Sequence, residues 1–175
     1  LIDWLEEKNF DFDIHTDDDL NREGVGLLNK YQTVLTGSHP EYTSEKMFAA
    51  YEKYQQDGGR WIYLGANGFY WCSEYHPDNS NIIEVRKGEA GTRAWTANPG
   101  EYNNAFDGKF GGMWRARGRI PSKLCGLTFT AYGFDVSSYY VRDKDSERPE
   151  TAWIMEGVGN GEKIGDFGLV GGGAA

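Results

Sequence analysis

The sequence predicts an α/β domain, doubly wound around a mostly parallel sheet, with a β-rich insertion after its first third. Three observations carry that fold class. Residues 31–36 and 60–65 both read as strands, rich in β-branched and aromatic residues. Between them Met47, Phe48, Tyr51 and Tyr54 recur at three- and four-residue spacing, the period of one helix face. Strand, helix and strand with short connections make the pattern of a parallel βαβ unit with a right-handed crossover. The helical period then stops: FYWCSEYHPDNSNIIEVRKG reads as two strands joined by a turn around Pro77 to Asn81.

In order along the chain, residues 1–8 read as the tail of a helix, 10–14 as a short strand, and 16–30 as an acidic turn leading into a weak helix. The strand at 31–36 breaks at Gly37, and Thr43 or Ser44 is placed to cap the next helix. Gly58 and Gly59 end that helix before the strand at 60–65. Residues 86–91 lead out of the hairpin, 98–112 form a Gly- and Asn-rich loop, 121–127 begin a short helix or loop, and 126–136 resume a β-like aromatic run. The last stretch, GVGNGEKIGDFGLVGGGAA, reads without a closing helix or strand, and the first residue is Leu. Both features lead to the expectation of a piece excised from a longer chain, folded as one domain over 1–175.

With 175 residues, 39% hydrophobic and 15% aromatic, the chain has enough apolar material for a core, which argues against disorder. Six Trp and eleven Tyr exceed what a minimal core needs, so part of the aromatic set is expected at a pocket or an interface. The formal charge of −9, without a basic cluster, argues against nucleic acid and anionic membrane surfaces as partners. No apolar run approaches the roughly 20 residues of a membrane span. Cys72 and Cys125 make neither a disulfide framework nor the paired spacing of a zinc site, which favours a reducing, cytoplasmic setting.

Chemistry concentrates in YQTVLTGSHPEY, where the apolar run gives way to Ser38, His39 and Glu41. A hydroxyl, an imidazole and a carboxylate stand within four residues at the carboxyl end of a strand, where ligands of α/β proteins collect. Pro40 biases His39 toward extended backbone, and residues two apart in such a segment face the same side, so His39 and Glu41 can address one ligand or metal. The alternative is a turn that positions the chain, with Glu41 merely favourable near a helix N-terminus. Asn67, in LGANGFYW, ends the next strand at the same edge, either as a site residue or as a turn residue beside Gly68.

Other sets carry less. Asp11, Asp13, Asp17, Asp18 and Asp19 with His15 lack the EF-hand spacing and read as a solvated, helix-capping turn. Cys72, Glu74 and His76 have the residue types of thiol chemistry but no strand-to-helix elbow, so Cys72 reads as buried and structural. GVGNG lacks the third glycine of a dinucleotide fingerprint, and Asp166-Phe167-Gly168 stands without the other kinase motifs.

TGSHPEYTSEKM, DGGRWIYLGANGFYW, EVRKGE and GGMWRARG together resemble the C-terminal region of the N,N-dimethylformamidase large-subunit family, from about Asp11 to the Gly-rich end. The resemblance implies a doubly wound core of the class I glutamine-amidotransferase-like type, although the catalytic Cys elbow of that superfamily is missing here. It implies an amidohydrolase that splits N,N-dimethylformamide into dimethylamine and formate at a mononuclear Fe(III) held by two tyrosines and one glutamate. By motif the glutamate falls on Glu41, a functional histidine on His39 and a functional asparagine on Asn67. The tyrosine ligands are expected upstream of Leu1 and are not transferred to Tyr31 or Tyr42; a further acidic catalytic residue is expected beyond Ala175. The partners implied are a small amide substrate, the small (alpha) subunit and further large subunits in a bacterial cytoplasm. The 175 residues alone are expected to be inactive.

That chemistry is consistent with the residues. An amide resists hydrolysis through resonance and dimethylamine leaves poorly until protonated, so a site needs carbonyl polarisation, an activated water and a proton donor. Two other readings stay open: a metal-free hydrolase using Ser38 or Cys72 with His39 or His76, and a non-catalytic glutamine-amidotransferase-like interaction domain.

Overall fold

In the computed structural model, which describes residues 1–65, 67–87, 98, 100–127, 131–132, 139–166 and 173–174, the chain falls into two units, Leu1–Phe129 and Thr130–Ala174. The first opens with helix α1 (Ile2–Glu7), followed by α2 (Asp17–Glu23) and α3 (Val25–Leu28). Thr16 caps α2 reciprocally: its hydroxyl accepts the Asp19 N–H at 3.2 Å and the Asp19 carboxylate accepts the Thr16 N–H at 3.0 Å. Those contacts and Arg22 hold the Asp19 carboxyl well below the usual carboxylate range. The acidic set is thus a capping turn, as its spacing predicts.

Strand β1 (Thr33–Ser38) is followed by the short β2 (Tyr42–Ser44), helix α4 (Glu45–Gln56) and β3 (Arg60–Gly65). Ser44 caps α4, its hydroxyl accepting the Met47 N–H at 3.2 Å while donating to the Asn21 amide oxygen at 2.6 Å. Met47, Phe48, Tyr51 and Tyr54 are all buried, as the helical period requires. Strands β1 and β3 pair in parallel from Thr33 opposite Arg60 to Ser38 opposite Gly65, so the predicted βαβ unit is present. Two strands then form a hairpin, β4 (Trp71–His76) and β5 (Asn79–Glu84), which turns through Pro77 and Asp78. Helix α5 (Pro121–Cys125) closes the described part of the unit.

The expected doubly wound, mostly parallel sheet of glutamine-amidotransferase-like type is not what forms. Among the described residues the sheets are small and mixed: β1 with β3, and β2–β4–β5, in which β2 runs parallel and β5 antiparallel to β4. Only five residues separate Gly65 from Trp71, whereas a parallel crossover in one sheet takes a dozen or more. Strand β4 therefore leaves the β1–β3 sheet and pairs with β2, and the hairpin supplies two of the three strands of a second sheet rather than an insertion. Residues 10–14 form no strand either: Phe10 and Ile14 are exposed, alternating with Asp11 and Asp13, and Phe10 packs on Trp4 at 5.6 Å instead of entering a sheet.

The core joins Leu20, Leu27 and Leu28 of α2 and α3 to the buried face of α4 and to Phe69, Cys72, Trp114 and Leu124. Its centre is aromatic. The Phe69 ring meets Phe48, Tyr51 and Trp61 edge-on at 5.8, 5.4 and 5.3 Å, and Tyr51 stacks on Trp61 at 4.8 Å.

In the second unit β6 (Ala131–Tyr132) pairs antiparallel with β7 (Gly173–Ala174), a closing strand that the terminal sequence does not signal. Of the aromatic run at 126–136, residues 128–130 and 133–136 lie outside the described residues, as do Phe167 and Gly168. The Arg142 guanidinium ties this unit's turns together, donating to the Val158 carbonyl at 2.7 Å and to the Ser146 hydroxyl at 3.2 Å. Among the described residues no helix is long and apolar enough to cross a membrane.

Candidate functional site

Register puts the two predicted loops side by side. Because Ser38 lies opposite Gly65, the segment carrying His39 and Glu41 and the one carrying Asn67 leave the same carboxyl edge of the β1–β3 pair. They are then joined by the main chain. Phe69 N–H donates to the Pro40 carbonyl at 2.7 Å, and the N–H groups of Tyr70 and Trp71 both donate to the Glu41 carbonyl, at 3.1 and 2.9 Å. No hydrogen bond links the side chains of His39, Glu41 and Asn67 to one another among the described residues; what brings them together is backbone. Ser38's side chain lies outside the described residues.

Glu41 is half-buried, and its Oε1 accepts the Trp71 indole N–H at 3.1 Å. Trp71 is buried at 3% exposure. The Lys87 ammonium sits 4.7 Å from the Trp71 ring centroid and 5.1 Å from that of Tyr42, and donates to the Tyr42 hydroxyl at 2.7 Å. At the start of β2, Trp71 thus meets a carboxylate through its indole N–H and a cation over its ring face, and the same cation reaches Tyr42. His39 is exposed beside it.

The segment after β3 is unusual in its backbone. Asn67 and Phe69 both have left-handed conformations, with φ of 51° and 55°, which is uncommon for Asn and rare for a bulky aromatic. Gly68 between them packs so closely on Tyr63 that a Cβ there would strike the phenol, whose hydroxyl accepts the Gly68 N–H at 3.0 Å. Phe69 itself is fully buried. The backbone of Asn67 matches the turn reading, and the residue lies at the edge shared with Glu41.

A second cluster of carboxylates lies elsewhere. Ligand atoms of Glu45, Glu74 and Asp107 lie within 4.8 Å of one another, the spacing of a cation site. Arg117, only 8% exposed, occupies that position electrostatically: its guanidinium reaches Glu74 at 3.6 Å and Asp107 at 3.4 Å, and its Nε donates to the Phe110 carbonyl. Lys109 and Arg119 pair with Glu45. Three carboxylates against three cations leave no net charge to attract a metal, so the cluster is an ion-pair network tying α4, β4 and the 107–119 segment together. Burial pushes the Glu74 carboxyl up to about 7, with Asp107 adding to the effect and Arg117 opposing it.

Residues 1–175 match the family described as N,N-dimethylformamidase beta subunit-like, C-terminal. The chain belongs to that family. It is 50% identical over 174 residues to the N,N-dimethylformamidase beta subunit of Paracoccus aminophilus, and equally to that of an Alcaligenes species. Each alignment covers 99% of this chain and 23% of the relative, so the chain spans about a quarter of the length of the beta subunits it matches.

Within this dimethylformamidase beta-subunit-like family member, thiol chemistry has no support in the geometry. Cys72 is fully buried, and burial pushes its thiol up to about 12, so a thiolate does not form near neutrality. His76 turns away into a local contact, its Nδ1 accepting the Asp78 N–H and its ring edge-on to Phe106. The partners that sequence reasoning missed are Trp71 and Lys87. Nothing local marks them; they reach Glu41 and Tyr42 only because β2 pairs with β4, with Tyr42 opposite Trp71.

Proposed function

We propose that this chain supplies part of the site of an N,N-dimethylformamidase, an amide hydrolase, with Glu41 as one ligand of a mononuclear Fe(III) and His39 and Asn67 acting beside it. The observation that carries the reading is the near-full-length 50% identity to two subunits bearing that name. The convergence of the SHPEY and NGFYW segments through Pro40, Glu41, Phe69 and Trp71 supports the same choice of residues. The reaction belongs to the full-length enzyme, of which these residues are a part.

The donor chemistry of Glu41 fits a hard cation. Its carboxylate is an oxygen ligand of the kind Fe(III) prefers, and one oxygen is already steadied by an N–H donor, as ligating carboxylates usually are. When bound, the ion supplies Lewis acidity toward the amide carbonyl and a more acidic water. Glu41 holds it at the start of β2. His39, exposed at the same loop, orients the water or carries the proton that dimethylamine needs in order to leave. The Asn67 amide donates to the oxyanion that develops on the carbonyl oxygen. The exposed Tyr42 ring offers apolar surface to a dimethyl-bearing substrate. The remaining ligands, a small alpha subunit, further large subunits and a cytoplasmic setting belong to the same proposal.

The test is iron analysis of the full-length enzyme, wild type beside Glu41→Ala and His39→Ala, with dimethylformamide hydrolysis measured on the same samples. Glu41→Ala is expected to lose iron and activity together, and His39→Ala to keep its iron and lose turnover. A Glu41→Ala enzyme that stays iron-loaded and active removes Glu41 from the site.

A further inference from the structure

We infer that Trp71 is a positioning residue for the Glu41 carboxylate, one that selects which carboxylate oxygen faces the metal. The inference rests on the reading of Glu41 as a ligand. Trp71 grips Glu41 twice: its main-chain N–H donates to the Glu41 carbonyl at 2.9 Å and its indole N–H to Glu41 Oε1 at 3.1 Å. The first contact fixes where the backbone of Glu41 lies, the second where its side chain points. An indole N–H is a donor only and cannot accept, so this contact has one direction. Oε1 is engaged and Oε2 is left as the oxygen for a cation.

The donor is itself immobile. The Trp71 ring is buried, has Lys87 over its face at 4.7 Å and Tyr70 edge-on at 5.0 Å, and its backbone bridges to Met113 as well as pairing with Tyr42. A buried N–H needs an acceptor, and within the described residues Glu41 is the one it has. The carboxylate is thus preorganised before any ion arrives. Outer partners of this kind are typically worth about ten- to a hundred-fold in metal affinity or activity.

The experiment uses the full-length enzyme with two changes at one position: Trp71→Phe, and Trp71 replaced by β-(3-benzothienyl)alanine, which keeps the bicyclic shape and lacks only the N–H. Iron affinity is read by chelator competition, the melting temperature of the iron-free protein reports folding, and Glu41→Ala runs alongside. Both Trp71 variants are expected to bind iron at least about ten-fold more weakly, while the benzothienyl protein melts with the wild type. Weak binding in Trp71→Phe alone, with wild-type affinity in the benzothienyl protein, assigns the effect to packing and overturns the inference. Wild-type affinity in both, with iron lost in Glu41→Ala, overturns it while leaving Glu41 a ligand. Iron retained in Glu41→Ala overturns both.

Discussion

Phe69 donates its main-chain N–H to the Pro40 carbonyl at 2.7 Å from a left-handed backbone, with φ of 55°. That conformation costs a non-glycine residue about 1–2 kcal/mol. It persists because the ring is fully buried among Phe48, Tyr51, Trp61 and Tyr63. The main-chain hydrogen bonds that join the two site loops are therefore anchored by the aromatic core.

Truncating that ring is expected to loosen the site before it unfolds the protein. Phe69→Ala removes a buried aromatic, a change that costs about 3–5 kcal/mol, and it frees the N–H groups that point at Pro40 and Glu41. Amide exchange at Phe69, Tyr70 and Trp71 in the full-length protein should accelerate more than exchange within α4. Unchanged protection of those three amides would show that the loops hold without the anchor.

Legibility in the sequence followed the range of the interactions. The α4 helix, its Ser44 cap and the flanking β1 and β3 rest on periodicity and neighbours within a few residues, and they stand close to where the pattern puts them. The three-residue β2 was hidden inside what reads as a cap, and with it went the pairing that turns the hairpin into a second sheet. The fold class failed at the five-residue link after Gly65, a distance visible in the sequence but overridden by the expectation of a repeating βα unit. His39, Glu41 and Asn67 stand out as candidates because each follows a strand in a loop of chemically able residues, and the structure adds that their segments are joined by main-chain hydrogen bonds. Trp71, Lys87 and the Arg117 network were not legible, since Trp71 and Lys87 meet Glu41 and Tyr42 across 30 to 45 positions and Glu45, Glu74, Asp107 and Arg117 are scattered over more than seventy, all meeting only in three dimensions.

Burial makes stability pH-dependent through Glu74. Its carboxyl titrates at about 7 in the fold against an ordinary 4.5, so between those values the folded protein keeps a proton that the unfolded chain has released. The contribution of the neutral acid is complete below 4.5 and is lost as pH rises through 7. Glu74→Gln fixes the neutral form. Its urea midpoint is expected to match the wild type at pH 5 and to exceed it at pH 8, both measured on the full-length protein. A wild type that gains on the variant as pH rises would mean that the ion pair with Arg117 outweighs burial.

Cys72 gives a complementary expectation. With the thiol buried and raised to about 12, iodoacetamide at pH 8 should leave it unmodified until the protein is denatured. Cys72→Ala should retain turnover and lose about 1 kcal/mol of stability or somewhat more, the effect of a small cavity. Rapid native-state labelling accompanied by loss of hydrolysis would instead reopen the thiol-nucleophile reading.

Asn67 allows its backbone role to be separated from its chemical one, because its φ of 51° suits Asn, Asp and Gly far better than Ala. Asn67→Gly preserves the turn and deletes the amide, and Asn67→Asp preserves the turn while replacing the N–H donor with an acceptor. Asn67→Ala keeps a side chain but strains the backbone by about 1–2 kcal/mol. A residue that only shapes the turn would give a fully active Gly variant and an impaired Ala variant. A donor to the developing oxyanion gives a different pattern: the Gly, Asp and Ala variants all lose about 10²–10³ in kcat, the Gly and Asp variants while melting with the wild type. Iron content should be unchanged in both, since Asn67 is not assigned as a ligand. Wild-type kcat in Asn67→Gly would reduce the residue to its turn and leave the oxyanion to a group contributed from elsewhere in the enzyme.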